Sequence, residues 1–298
     1  MNSARQASLS PSGRRDFLKI AGILAAGGAV GAAQPAQADT VDGRDRRKYQ
    51  ELFPEEFYEE QRRAPIIYLP IGAPEEHGLQ SVLAVDPWTA YEICLRAAAL
   101  SHGIVFPIVP IAPAGHPSWG REELRRRAAD AAPPSCFVGR EVCKSLYIEL
   151  MESLADLGFK SCIAFSGHFP GDVVLEEIEK EQGGVIRGMR FWGGGLVRIL
   201  KDELERMDEE HPLWGGHGAM WETSILRALN EQWVDLSRVD RIQESPISHQ
   251  LKDLSPEKIQ AIKLANVEFG NRYLDLAAER AAKLASDLLD STSPSAGG

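Results

Sequence analysis

Short apolar runs separated by segments of helical periodicity constrain this chain more than any other feature. Pro65–Ile71, Ile104–Ile111, Ser161–Phe165 and Val185–Trp192 have the length and composition of strands buried on both faces and are too short for buried helices. Between them Trp88, Tyr91, Ile93, Leu95 and Leu100 form a broad helical face ending at His102-Gly103. Val142, Leu146, Leu150, Leu154 and Leu157 form another, ending at Gly158. Helices are also predicted over 172–182, Leu196–Met207, Glu222–Leu229 and Pro256–Leu289. Strands that alternate with helices predict an α/β fold whose central sheet is mostly parallel and covered on both faces. Pro107 and Pro110 push the second run towards a sheet edge. Residues 42–63 are charge-rich with scattered rings, which predicts a surface segment.

The N-terminal stretch differs in kind. Arg14-Arg15-Asp16-Phe17-Leu18-Lys19 precedes Ile20–Ala38, which carries no charge and ends in the small-x-small sequence Ala36-Gln37-Ala38. This resembles a twin-arginine export signal. Five of its positions are Gly22, Gly27, Gly28, Gly31 and Pro35, a poor composition for a membrane span. The expected organisation is a removable signal over 1–38, a single domain over 39–290 and a disordered tail over 291–298. The expected destination is the periplasm or the exterior.

The formal net charge is −10, and loss of the signal makes the chain more acidic still. Affinity for nucleic acid comes mostly from Lys and Arg that displace counterions, so a general nucleic-acid binder is excluded. The same surface disfavours anionic lipid, and no membrane association is expected after cleavage. Cys94, Cys136, Cys143 and Cys162 contain no C-x-x-C pair, so most are expected as buried free thiols.

Three polar clusters follow predicted strands, where α/β sheets place their ligands. The first is Gly72-Ala73-Pro74-Glu75-Glu76-His77-Gly78, with Asp86 further on. The second is Ser166-Gly167-His168-Phe169-Pro170-Gly171-Asp172. The third is Gly215-Gly216-His217-Gly218-Ala219-Met220-Trp221-Glu222-Thr223-Ser224. In an extended segment Glu75 and His77 point to one side and make half a site for a divalent ion. Each residue alone also has an ordinary role. Asp86 before Pro87 suits a helix N-cap, His77 a satisfied histidine, and Glu222 the acidic first turn of a helix.

Together the three clusters resemble the creatininase family of metal-dependent amidohydrolases. That family's P-x-G-S-x-E-x-H-G, with an Asp eleven residues after the Glu, is matched by Pro70–Gly78 and Asp86. Its N-G-H-G-G-N is similar to Ser166–Asp172, and its H-A-G-x-x-E-T-S to His217–Ser224. The likeness spans about residues 65–290. It implies a three-layer α/β/α sandwich, a homo-oligomer that is commonly a hexamer, and two divalent metal ions. Zn²⁺ or Mn²⁺ suits the implied ligands Glu75, His77, Asp86, His168 and Glu222, and Fe²⁺ is also compatible. Asp86 would bridge the ions. Where some members have a ligating Glu two residues after the central His, Pro170 stands here, which makes Glu222 the fifth ligand. His217 and Glu222 are the implied catalytic residues, with His217 as proton shuttle.

The substrate side departs from the family. H-G-P-H-L-P becomes His77-Gly78-Leu79-Gln80-Ser81-Val82, and the tyrosine-bearing substrate loop becomes Pro113–Trp119. His116, Trp119, Trp192, Trp214 and Trp221 are candidates to contact substrate, the last three being equally suited to core packing. The implied activity is hydrolysis of a C–N amide bond in a small or cyclic amide by metal-activated water. The alternatives are a formamide or peptide-derived amide, or a non-catalytic small-molecule-binding protein stabilised by metal.

Overall fold

In a computed structural model of the chain, which describes residues 40–41, 43–114, 134–245, 247, 251 and 253–291, the four apolar runs meet in one five-stranded sheet. The export signal, the loop residues His116 and Trp119, and the tail from 292 lie outside the described residues. Strands β1 (Ile66–Ile71), β2 (Ile104–Val105), β3 (Ser161–Ser166), β4 (Val185–Ile186) and β5 (Met189–Gly195) lie in the order β2-β1-β3-β5-β4. Every pairing is parallel except β4 with β5. The run Ile104–Ile111 yields only the short edge strand β2, because Pro107 and Pro110 have no N–H for a ladder; Val109 returns for one bridge to Ile71. The run Val185–Trp192 is two strands. Arg187 and Gly188 both take positive φ, 47° and 81°, the two-residue turn that folds a hairpin, and a lone glycine behind a bulky arginine is a faint signal for it.

Alternation along the central strands divides the core. Ile66, Tyr68, Ile163 and Phe165 face one layer, and Ile67, Leu69, Ile71, Cys162 and Ala164 face the other. The helices are α1 (Pro54–Arg63), α2 (Val85–Ser101), α3 (Arg140–Asp156), α4 (Phe169–Gln182), α5 (Leu196–Ile199), α6 (Lys201–Glu210), α7 (Met220–Leu229), α8 (Pro256–Ala261) and α9 (Val267–Asp290). The first layer packs on α2, α7 and α9, the second on α3 and α4. The result is a three-layer α/β/α sandwich. No described helix is long and apolar enough to cross a membrane.

Several elements differ from the periodicity. The charged segment 42–63 contains α1, which drives Phe57 into the core. On α3 the buried stripe is Cys143, Tyr147, Met151 and Leu154, one residue round from the leucine face, and Val142 is 60% exposed. The segment Pro256–Leu289 is broken rather than continuous: Asn266 is extended and its side chain accepts the Phe269 N–H, capping α9. Leu200 likewise divides α5 from α6. Ala277, Ala278, Ala281 and Ala282 on α9 are buried inside the first core layer, where small side chains admit α2 and α7 closely. All four cysteines are free thiols, and only Cys136 is exposed.

Candidate metal centre

The parallel register aligns Ile71 with Ser166 and Ser166 with Gly195, so β1, β3 and β5 end together and their following segments converge. The loop after β1 carries Glu75 and His77, the turn after β3 carries His168, and the first turn of α2 is laid across both. That crossing needs glycine. A Cβ on Gly72 would stand 2.5 Å from the Pro87 nitrogen and one on Gly167 2.1 Å from the Asp86 carbonyl. Asp86 is therefore no N-cap. The cap position is Ala84, and the Asp86 side chain is turned inward instead.

Glu75, His77, Asp86 and His168 are all buried. Asp86 spans the two imidazoles: its Oδ1 is 3.0 Å from His77 Nε2 and its Oδ2 is 2.8 Å from His168 Nδ1. Glu75 Oε2 lies 3.0 Å from His168 Nδ1 and 3.9 Å from His217 Nδ1, and Glu222 Oε2 lies 3.6 Å from His77 Nε2. Two groupings with ligand atoms within 4.8 Å of one another share Glu75: one with Asp86 and His168, the other with His77 and His217. The ring nitrogens that face away meet backbone carbonyls. His168 Nε2 is 2.9 Å from the Pro113 oxygen, His77 Nδ1 is 3.2 Å from the Glu75 oxygen, and His217 Nε2 is 2.7 Å from the Glu76 oxygen. A carbonyl can only accept, so it assigns a proton to the outward nitrogen and leaves the inward one, among carboxylates, as the position that a cation or a second proton would take. Metal-ligating histidines are held in this way, and three carboxylates with imidazoles suit divalent transition metals. The residues present fit a metal centre.

The buried carboxylates and imidazoles set one another's protonation. Burial alone would lower the His77 pKa, but the facing Asp86 carboxylate, with Glu222 and Glu75 behind it, lifts it to about 10. His168 is likewise raised well above its ordinary value, burial being outweighed by Asp86 and Glu75. Burial pushes Asp86 and Glu75 up, yet the imidazoles hold both below the usual carboxylate range. Without metal, protons take the place of cations in this cluster.

Glu222 sits in the first turn of α7 and accepts the Gly218 N–H at 2.6 Å. Its side chain is 17% exposed and that of His217 is 26% exposed, so both border the cavity of about 710 Å³ that opens from the cluster. Trp221 lines this cavity. Trp192 and Trp214, two other tryptophans proposed as substrate contacts, are not among its lining residues. Trp192 lies in the first core layer against Phe165, and Trp214 packs between His211 and Phe269. Gln80 is a residue whose part the sequence leaves unstated. Its Nε2 donates to the carbonyls of His77 at 2.8 Å and Gly218 at 3.0 Å, clamping the two histidine loops together. Only its place in the altered H-G-P-H-L-P stretch drew attention to it.

The fold and this site define a metal-dependent amidohydrolase of the α/β/α class. The model of the Creatininase family, creatinine amidohydrolase, matches residues 50–285, and the chain belongs to that family. A creatinine amidohydrolase of Pseudomonas putida is 23% identical over 187 residues, which cover 58% of this chain and 68% of that protein. A zinc–zinc form of a creatininase variant superimposes with TM-score 0.60 at 19% identity, covering 83% of this chain and 98% of the other. A manganese form of creatininase gives TM-score 0.60 at 20% identity over 83% and 99%. At these identities the superpositions speak for the fold.

Proposed function

We propose that the protein is an exported hydrolase of small or cyclic amides, with two divalent metal ions held by Glu75, His77, Asp86, His168 and Glu222. The observation that carries this reading is the Asp86 carboxylate, which turns one oxygen to the His77 nitrogen and the other to His168 Nδ1 while both rings are anchored from behind by carbonyls. One carboxylate addressing two separate imidazoles is what a shared ligand of two ions requires. The zinc–zinc and manganese forms of the solved creatininases support those metals here.

When bound, the ions supply an acidified water and an electrophile that polarises an amide carbonyl. The chain supplies the rest. Glu75, Asp86 and His168 fix one side of the cluster and His77 with Glu222 the other. His217, half-buried at the cavity and oriented by the Glu76 carbonyl, has Nδ1 directed inward to carry a proton to the leaving nitrogen. Gly215 and Gly216 leave space beside it, and Trp221 walls the pocket.

The test is metal content per chain by elemental mass spectrometry, followed by assay of the metal-loaded protein on creatinine, cyclic ureides, formamides and short peptide amides. Close to two ions per chain with turnover of one class supports the reading. Full metal occupancy without any hydrolysis would transfer the scaffold to a binding role. Export rests on the Arg14-Arg15 motif and the uncharged stretch behind it; an Arg14→Lys/Arg15→Lys variant should leave the protein in the cytoplasm. A homo-oligomer, expected from the family, is checked by light scattering.

A further inference from the structure

A short segment outside the three site motifs touches both the loop after β1 and the turn after β3. Ser135–Val138 has no regular structure and runs by way of Gly139 into α3. The Ser135 hydroxyl accepts the Glu76 N–H at 3.0 Å and the Cys136 N–H donates to the Pro74 carbonyl at 2.9 Å, which holds the stretch that presents Glu75 and His77. The Val138 N–H donates to the Ala112 carbonyl at 3.0 Å, next to Pro113, whose own carbonyl faces His168 Nε2. The segment is itself anchored. Phe137 and Val138 pack on the second core layer, and the Val138 carbonyl accepts the Cys143 thiol at 3.7 Å.

Phe137 reaches His168 directly. Their rings are stacked, with centroids 5.7 Å apart and planes 23° from parallel, an offset arrangement that aromatic pairs favour. An imidazole turns within a broad χ2 well, and the hydrogen bond from Nε2 to the Pro113 carbonyl leaves the ring able to swing about that bond. A second ring laid on its face removes this freedom and so sets where Nδ1 stands, 2.8 Å from Asp86 and 3.0 Å from Glu75. Against His77 lies a different ring, that of His217 with centroids 4.1 Å apart. The two imidazoles that Asp86 addresses are therefore steadied by separate partners.

We propose that Phe137 is a positioning residue of the metal centre: its ring fixes the His168 imidazole in the orientation in which Nδ1 serves as a ligand, and its effect falls on the ion held by Glu75, Asp86 and His168 before the ion held by His77 and Glu222. Groups that orient a metal ligand from behind contribute about 10- to 100-fold in metal affinity. The consequence for metal rests on the reading of the cluster as a two-ion centre, whereas the stack is a property of the chain with or without metal.

Two measurements test it, neither of which needs turnover. In the metal-free protein, NMR of ring-labelled histidine reads the carbon-bound ring protons of His168, identified by their loss in His168→Asn. The neighbouring phenyl ring current contributes to their shifts, so Phe137→Ala should move them and leave the His77 signals in place, while Phe137→Tyr, which keeps the aromatic face, should hold them near the parental position. In cobalt titrations against a competing chelator, Phe137→Ala should alter the visible absorption of the ion on the His168 side and lower its affinity about 10- to 100-fold. The ion on the His77 side should change less, and Phe137→Tyr should restore both. Phe137→Leu fills the space without an aromatic face and is expected to give the same readings if the alanine variant does not fold. Leu150→Ala, which removes a side chain packed on the same core layer, controls for stability: its thermal midpoint should fall while its cobalt spectrum stays parental. Unmoved His168 signals in Phe137→Ala, equal weakening of both ions, or the same spectral change in Leu150→Ala overturns the proposal. If the parent protein takes up no cobalt the metal-centre reading fails, whereas the ring shifts judge the Phe137 stack by themselves.

Discussion

Gly167 and Asp86 touch through their backbones: a Cβ on the glycine would stand 2.1 Å from the Asp86 carbonyl oxygen. This contact seats the first turn of α2 on the end of β3 and thereby brings the Asp86 carboxylate between two imidazoles that belong to different strands.

Gly167→Ala should push that turn outward. Backbone is the obstruction, so it cannot be relieved by a rotamer change, and overpacking of this kind costs about 1–3 kcal/mol. The expected result is a lower thermal midpoint together with weaker metal binding, both measurable by calorimetry. A variant that unfolds earlier but holds metal as tightly as the parent would separate this contact from the site.

Asp86→Asn keeps the side chain's shape and removes its charge. Two ions that share one carboxylate should both be affected, and elemental analysis is expected to find fewer than two ions per chain with no residual turnover. Glu222→Gln should affect the ion at His77 and leave the one at His168.

The metal-free protein should show its own pH dependence. His77 is raised from about 6.5 to about 10 by burial opposed and outweighed by Asp86, so its stabilising protonation is complete below about pH 6.5 and is lost as pH rises towards 10. Asp86 and Glu75 are depressed, and their contribution is present above about pH 4 and lost below it. Thermal midpoints in chelator should therefore be highest between these limits and decline through the alkaline range. Metal requires the same nitrogens unprotonated, so its uptake at pH 7 should release protons, seen as a buffer-dependent enthalpy.

His217→Asn should retain metal and lose about 10²- to 10⁴-fold in kcat, the range for general acid–base groups. Because His217 Nδ1 is also within ligand reach of Glu75, the metal content of this variant distinguishes the roles: a fall in bound metal would make His217 a ligand.

Gln80→Leu removes the amide that joins the His77 and Gly218 carbonyls and leaves the buried His77 carbonyl short of a donor while Gly218 keeps the Thr223 hydroxyl, a loss of about 1–3 kcal/mol. A reduced kcat at near-parental metal content is expected, since the clamp sets the distance between the His77 and His217 loops. Gln80→Glu, which cannot donate to the carbonyls when ionised, should not restore it.

Much of the sandwich was legible from the chain because a parallel sheet covered on both faces demands short, continuous apolar strands, and β1 and β3 are such strands. Where two signals compete, the periodic one misleads. On α3 four leucines and a valine suggest one face, but the sheet buries Cys143, Tyr147 and Met151 beside Leu154 and leaves Val142 60% exposed. Trp192 and Trp214 lie near the site motifs in sequence, but their rings pack against Phe165 and between His211 and Phe269 and do not line the cavity.

The sequence by itself determined the kinds of residue that gather at the strand ends, the order in which they arrive and the family to which the chain belongs. Tertiary structure alone decided what they do there. Asp86 reads as a helix cap until Gly72 and Gly167 admit its helix across two strands, and Glu222 reads as the acidic first turn of a helix until α7 is laid beside His77. The reason is that local propensity assigns a side chain to its own helix or turn, whereas a site is made by side chains from separate elements, and only the register of the sheet sets which of them meet.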